Sequence, residues 1–444
     1  MQNWAELTEQ LERISPAKRQ GIVVNVVGLT IEVTCPGLFV GELCQLEVLQ
    51  PTHRWLDAEV VGFRGDTGIL MLLAVSQGIT FGSTVVATGA TASVALGDAM
   101  LGRLLDACGE PIDGGDALTL MQRQPLKRQP INPLERQAIT DVFATGVRVI
   151  DGMLTFGRGQ RLGLFANAGV GKSSLLAQIC RQHESSAAKQ HNQVTVVVLV
   201  GERGREVLEF YQQAKQHDAL KSMVIIAATA EQPPLMRIRA VHTGLAVAEY
   251  FSGKQQDVML VTDSMTRFAM ALREVGLASG EAPTLRGYTS SVFAAIPAVI
   301  ERCGAFAHRG AITGIFSVLV EGELTADPAA DAMKAVLDGH IVLSTELAEK
   351  DHYPAVDLLK SVSRLFPALA TPMQRMRARQ IRRVWAAYEE KRNMIELGLG
   401  DEETRTRLQD DMRLVRELVQ QSAEATPIAD TLQWMERLDL RTGS

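Results

Sequence analysis

The sequence predicts an α/β protein with a small β-barrel in front of its main domain and a helical domain behind it. Three observations carry this. Residues 21–88 hold short β-rich runs punctuated by Gly, Pro and Asp, and residues 89–372 alternate strand-like with helix-like segments. Residues 373–444 lose β-branched runs and gain Arg, Glu, Gln and Leu. A chain of 444 residues has room for this division and for a large buried core.

Ahead of the barrel, Trp4, Leu7, Leu11 and Ile14 recur at helical spacing until Ser15-Pro16 stops the pattern. This predicts a short helix over 1–20, either packed on its own domain or exposed as a hook for a partner helix. The stretch is charged and lacks an apolar h-region, so no signal peptide is expected. In the barrel segment, "GIVVNVVGLTIEVTCPG", "GELCQLEVL", "DAEVVGFRGD" and "GILMLLAV" read as strands of a small antiparallel barrel. It carries two basic residues, Arg54 and Arg64, against six acidic ones, Glu32, Glu42, Glu47, Asp57, Glu59 and Asp66. A barrel that grips RNA needs the opposite balance, and the net charge of −6 also argues against nucleic acid. The five cysteines are scattered without a C-x-x-C pair. That argues against a zinc site or disulfide framework and suits reduced thiols in the cytoplasm.

In the main domain, strands are predicted at Leu162–Phe165, Val194–Val200, Val224–Ala228, Val258–Thr262, Ile312–Leu319 and His340–Leu343. Helical stretches between most of them imply βαβ units and a largely parallel sheet. None of these runs is long enough to span a membrane. The last region shows one apolar helix face marked by Leu408, Met412, Val415 and Leu418.

Chemistry enters at "RLGLFANAGVGKSSLL". Ala166–Ser173 fits A-x-x-x-x-G-K-S between a strand and a helix, the context that makes a phosphate-binding loop credible. Backbone N–H groups along Asn167, Ala168, Gly169, Val170, Gly171, Lys172, Ser173 and Ser174 are placed to wrap phosphates at a helix N-terminus. Lys172 can reach the β- and γ-phosphates, and the Ser173 hydroxyl can hold Mg²⁺. Asn167 stands where glycine is common; asparagine tolerates left-handed dihedrals, so the loop need not be broken.

Three later segments extend the site. In "VLVGERGREV", Glu202 lies just past a hydrophobic strand, placed to activate water, with Arg203 beside it to read phosphate charge. In "DVMLVTDSMTRFA", Asp263 ends a strand in the manner of a Walker B aspartate that supports Mg²⁺. Arg267 one turn on is either an outer partner of the site or a structural pair. In "HYPAVDLLKSVSRLFP", Tyr353 can stack on adenine or belong to the core. Arg364 is either a surface arginine or a finger supplied by a neighbouring subunit.

With these pieces in order, the chain resembles the export ATPases of type III secretion, which serve flagella and injectisomes and are related to the catalytic subunit of rotary ATP synthases. The matching stretches include "LGRLLDACGEPIDG", "ATGVRVIDGMLTFGRGQRLGLFANAGVGKSSLL", "GERGREV", "DSMTRFAMALREVGLASGE", "LDGHIVLSTELAEKDHYPAVD" and "SVSR". The resemblance implies a RecA-like P-loop core and a homohexameric ring with ATP and Mg²⁺ bound between subunits. Lys172 and Ser173 would bind phosphate and metal, Glu202 polarise water, Asp263 support the metal and Tyr353 lie near adenine. Arg364 would enter from the next subunit. It also implies a cytoplasmic protein peripheral to the inner membrane. Its partners would be a stalk regulator at the N-terminus, a central-stalk protein in the pore, an export-gate membrane protein, and chaperone–substrate complexes at the C-terminal domain.

Departures from the family pattern are Asn167, Thr289-Ser290 in place of two prolines, and a shortened "IELGLGDEETRTRLQDD". The prolines' absence predicts a less rigid loop there. Two other readings compete, a catalytic subunit of a rotary synthase or ion pump and a hexameric RNA translocase. Glu202 and Arg364 in one chain favour identical subunits over the first. The acidic barrel disfavours the second. The basic run "MQRMRARQIRRVW" is either a solvated helix face or a contact for an acidic partner or ring neighbour.

Overall fold

The computed structural model describes residues 19–49, 52–75, 78–118, 122–190, 193–217, 219–320, 327–397 and 401–441. Most of the helix predicted over 1–20 therefore lies outside the described residues. Its last two positions, Arg19 and Gln20, are strand instead.

The acidic segment closes into a six-stranded antiparallel barrel. Its strands are β1 (Arg19–Val27), β2 (Thr30–Thr34), β3 (Glu42–Val48), β4 (Arg54–Arg64), β5 (Thr67–Leu72) and β6 (Thr84–Thr91). Around the barrel they run β1-β2-β5-β4-β3-β6, and β6 pairs back onto β1. Alternate residues such as Val23, Val33, Leu46, Val60 and Leu70 fill the interior, as the two-residue period of a strand requires.

Beyond the barrel lies an eight-stranded sheet. Its strands in chain order are β7 (Leu104–Leu105), β8 (Arg161–Ala166), β9 (Gln193–Val200), β10 (Met223–Ala228), β11 (Asp257–Asp263), β12 (Ile312–Leu319), β13 (Gly339–Val342) and β14 (Val362–Ser363). In space they run β14-β13-β8-β12-β11-β9-β10-β7, all parallel except β14. All six predicted strands are present. The two-residue edge strands β7 and β14 carried too few residues to show a period.

Because helices cover both faces, the central strands are apolar at nearly every position. On β9, Val194, Val196, Val198 and Val200 belong to one core, and Val197 and Leu199 to the other. Helices α1 (Lys172–Gln190) and α2 (Gly204–Gln216) contribute to the second core. The first core is covered by α3 (Pro234–Gly253), α4 (Met265–Ser279), α5 (Ser290–Ile300) and α6 (Pro328–Val336). At Gly244 of α3 a Cβ would lie 2.2 Å from Val198 Cγ2, so glycine there is what lets helix and sheet approach.

After α7 (Thr345–Glu349), the chain ends in α8 (Pro372–Glu396), α9 (Glu402–Val419) and α10 (Ile428–Arg437). Leu408, Met412, Val415 and Leu418 are buried in the same core as α1. The basic run on α8 is not a plain solvated face. Arg375, Arg377 and Arg382 donate to the carbonyls of Pro367, Glu436 and Leu358, while Arg379 and Arg383 are exposed. Thr289, where proline was expected, is fully buried against Gly276, and its hydroxyl meets that of Ser291 at 2.9 Å.

Candidate active site

Open α/β sheets place their ligands at the carboxyl ends of the strands. Three parallel strands, β8, β9 and β11, end here in Ala166, Val200 and Asp263, so the segments that follow them converge. The loop after β8 turns on Gly169 and Gly171, at φ +81° and +87°. A side chain is strained at such angles, and a Cβ on Gly171 would also stand 3.2 Å from the Tyr353 ring. Asn167 does not take the left-handed conformation; its amide instead donates to Thr345 Oγ1 of α7 at 3.0 Å. The anomalous residue thus ties the loop to a neighbouring helix.

Lys172 opens α1 and its ammonium pairs with Asp263 Oδ1, with Glu202 Oε1 3.9 Å away. Asp263 also accepts a hydrogen bond from the buried Ser317 hydroxyl on β12 at 2.9 Å. Glu202 Oε1 is buried with no hydrogen-bond partner. Burial, the neighbouring Glu206 carboxyl and the Asp263 charge push the Glu202 carboxyl well above its ordinary range, while Lys172 opposes them. A cavity of about 340 Å³ opens beside these groups, lined in part by Ser173, Ser174, Glu202, Glu206 and Asp263. A carboxyl perturbed by burial and neighbouring charge beside a cavity marks a candidate functional site.

One hydroxyl, Ser173, and one carboxylate, Asp263, lie beside a loop shaped for phosphate. Among the described residues no cluster of three or more His, Cys, Asp or Glu could hold a metal by itself. This donor set fits Mg²⁺, which keeps several waters and shares phosphate oxygens with few protein ligands.

Tyr353 is 40 % exposed beside the loop, and its carbonyl accepts from the Gln421 N–H at 2.9 Å. A cleft of about 510 Å³ runs between Tyr353, Arg148 and the segment Gln420–Thr426. That segment carried no sequence signal, because it reaches the site only when α9 folds back across the core. Ser317 and Glu206 were likewise missed. The one hint of Ser317 was a lone hydroxyl in the apolar run "IFSVLV".

Two predicted residues lie apart from this cluster or at its margin. Arg203 is exposed at the N-cap of α2. Arg364 is exposed, and its N–H donates to the carbonyl of Asp338, whose carboxylate grips Arg161 at the start of β8. Lys172 lies past the other end of β8, so the length of that strand, roughly 16–20 Å, separates them. Arg267 packs its stem on Gly201, where a Cβ would be 2.9 Å away.

The nucleotide-binding domain of the ATP synthase alpha/beta family matches residues 146–363. A flagellum-specific ATP synthase of Treponema pallidum (strain Nichols) is 42 % identical over 96 % of this chain and 95 % of its own length. A type 3 secretion system ATPase of Xanthomonas euvesicatoria is 39 % identical over 88 % and 87 %. The assembled ATPase EscN of enteropathogenic E. coli superimposes with a TM-score of 0.87 at 35 % identity, covering 94 % of this chain and 99 % of EscN. A second EscN structure, in complex with its central stalk EscO, gives 0.82 at 33 % identity with the same coverage. Likeness of this extent, over a phosphate loop, strand-end carboxylates and a closed barrel alike, has one meaning: the chain is an ATPase and belongs to the family of flagellum-specific and type III secretion ATPases.

Proposed function

We propose that this chain hydrolyses ATP at the interfaces of a homohexameric ring that energises type III protein export. The observation that carries the reading is the position of Arg364. It stands exposed at the strand-start end of β8 while Lys172 and Glu202 stand at the other end. A subunit so built is half of one site and half of another, and a cyclic head-to-tail ring joins the halves.

Within one site, Lys172 and the loop from Asn167 to Ser174 bind the phosphates, and Tyr353 with Gln420–Thr426 takes the base. Ser173 and Asp263 hold Mg²⁺, which when bound offsets charge on the phosphate oxygens. Glu202 orients the attacking water and accepts its proton, for which a raised pKa makes it a stronger base near neutral pH. Arg364 of the next subunit meets the charge developing on the transferred phosphoryl group, and Arg203 adds to the positive field.

The assembled EscN structures, one with its central stalk, support a ring around a stalk protein. The N-terminal residues meet a stalk regulator, and the helical C-terminal region meets chaperone–substrate complexes. The export gate brings the ring to the inner membrane from the cytoplasm; among the described residues no helix is long and apolar enough to cross a membrane. On the barrel, Arg64 pairs with Glu32 and Arg19 with Glu42.

Mixing two inactive variants tests the ring. Arg364→Ala subunits keep Glu202, and Glu202→Gln subunits keep Arg364. Random mixing at equal amounts should restore about a quarter of the interfaces, with activity rising and falling symmetrically with the ratio. No recovery at any ratio overturns catalysis across the interface.

A further inference from the structure

Away from the nucleotide site, a cleft of about 440 Å³ lies between the barrel and helices α3, α4 and α5. That volume falls in the range of small-molecule sites, roughly 300–1,000 Å³. Its walls are mainly apolar, with Val61 of the barrel facing Leu235, Leu272 and Val275 of the helices.

The polar lining is unequal in sign. Lys127, Arg128, Arg239 and Arg302 line the cleft, and the carboxylates paired with them are two, Glu59 and Glu249. Glu249 is shared: Arg302 holds it at 2.7 and 2.9 Å and Arg128 at 3.3 Å. Lys127 is exposed and has no ion pair among the described residues. Among these cations sits His242, whose Nδ1 is buried with no hydrogen-bond partner. Burial, then the charges of Arg302 and Lys127, push its pKa down to about 3, so the imidazole is neutral. The neutral ring adds no charge to this corner, so the cations keep their surplus.

We propose that this cleft binds an aliphatic carboxylate of medium chain length. The carboxylate sits beside His242 between Lys127 and Arg302, and the hydrocarbon lies along Val61, Leu235, Leu272 and Val275. Charge selects the occupant. A cationic amphiphile meets surplus like charge, and a neutral alcohol leaves that surplus unanswered. The ligand touches barrel and helices together, so it stabilises the arrangement that forms the cleft and raises the unfolding temperature by mass action.

The test uses the full chain with decanoate below its micelle concentration, and with 1-decanol and decylammonium, read by calorimetric titration and thermal unfolding. Decanoate should saturate one site per chain and raise the unfolding midpoint, with 1-decanol at least about tenfold weaker and decylammonium not binding. Ala295→Phe, which fills the cleft from α5, should abolish decanoate binding while ATP hydrolysis persists. Lys127→Met, at an exposed position where folding is not at stake, should weaken decanoate about three- to tenfold. The proposal fails if decanoate does not saturate, if Ala295→Phe binds it like the unaltered chain, or if decylammonium binds equally well.

Discussion

Ser317→Ala tests how Asp263, the aspartate proposed to support the metal, is held. Ser317 is wholly buried in the centre of the sheet and gives its hydroxyl proton to Asp263 Oδ1 at 2.9 Å. Hydrogen bonds to a charged acceptor contribute about 1.5–3 kcal/mol. Lys172 serves the same oxygen, so the low end applies. At roughly 1.4 kcal/mol per factor of ten, losing about 1.5 kcal/mol slows turnover near tenfold. The deficit should be larger in kcat than in KM for ATP. Steady-state hydrolysis across a Mg²⁺ titration is the assay. Ser317→Ala should also need more Mg²⁺ for half-maximal rate, and Ser317→Thr, which restores the hydroxyl, should recover both. Unchanged kcat and Mg²⁺ dependence in Ser317→Ala would refute the reasoning, as would a threonine variant no better than alanine.

Glu202→Gln should bind ATP with near-normal affinity yet hydrolyse it at least about 10²-fold more slowly, since only proton acceptance is removed; collapse of nucleotide affinity contradicts that role. Because the Glu202 carboxyl is raised from its ordinary value of 4.5, it is protonated and idle at acid pH, and kcat/KM should climb as pH rises through the shifted value. Glu206→Gln removes one of the groups that raise it and should move that acid limb to lower pH; a limb that stays put shows Glu206 does not act on Glu202. Gly244→Ala forces a methyl against Val198 and should lower stability by about 1–3 kcal/mol in urea unfolding. An unchanged midpoint would mean that helix and sheet can part without loss.

Strand order along the chain, the barrel and the helical end were legible because their apolar patterns are local. The six main strands lie within a residue or two of where their apolar runs placed them. That the loop after β8, Glu202 and Asp263 come together was legible for a related reason: each lies at or just past the end of its strand, and parallel strands carry such positions to one edge. What stayed hidden depends on contacts between distant segments. Nothing near Gln421 in the sequence points to Tyr353, and Ser317 touches Asp263 only because β12 lies beside β11. Asn167 was legible as an oddity, but its role was not. Backbone tolerance was the available argument, whereas the structure uses its side chain.

That side chain has a consequence for how distant parts of the molecule are connected. Thr345, which Asn167 grips, is followed by Glu346, and Glu346 pairs with Arg392 of α8 and with Lys350. The loop between β8 and α1 is therefore joined, through one short helix, to the long helix of the C-terminal end. Through Asn167, Thr345 and Glu346, the loop before α1 and the C-terminal helix α8 share one line of polar contacts.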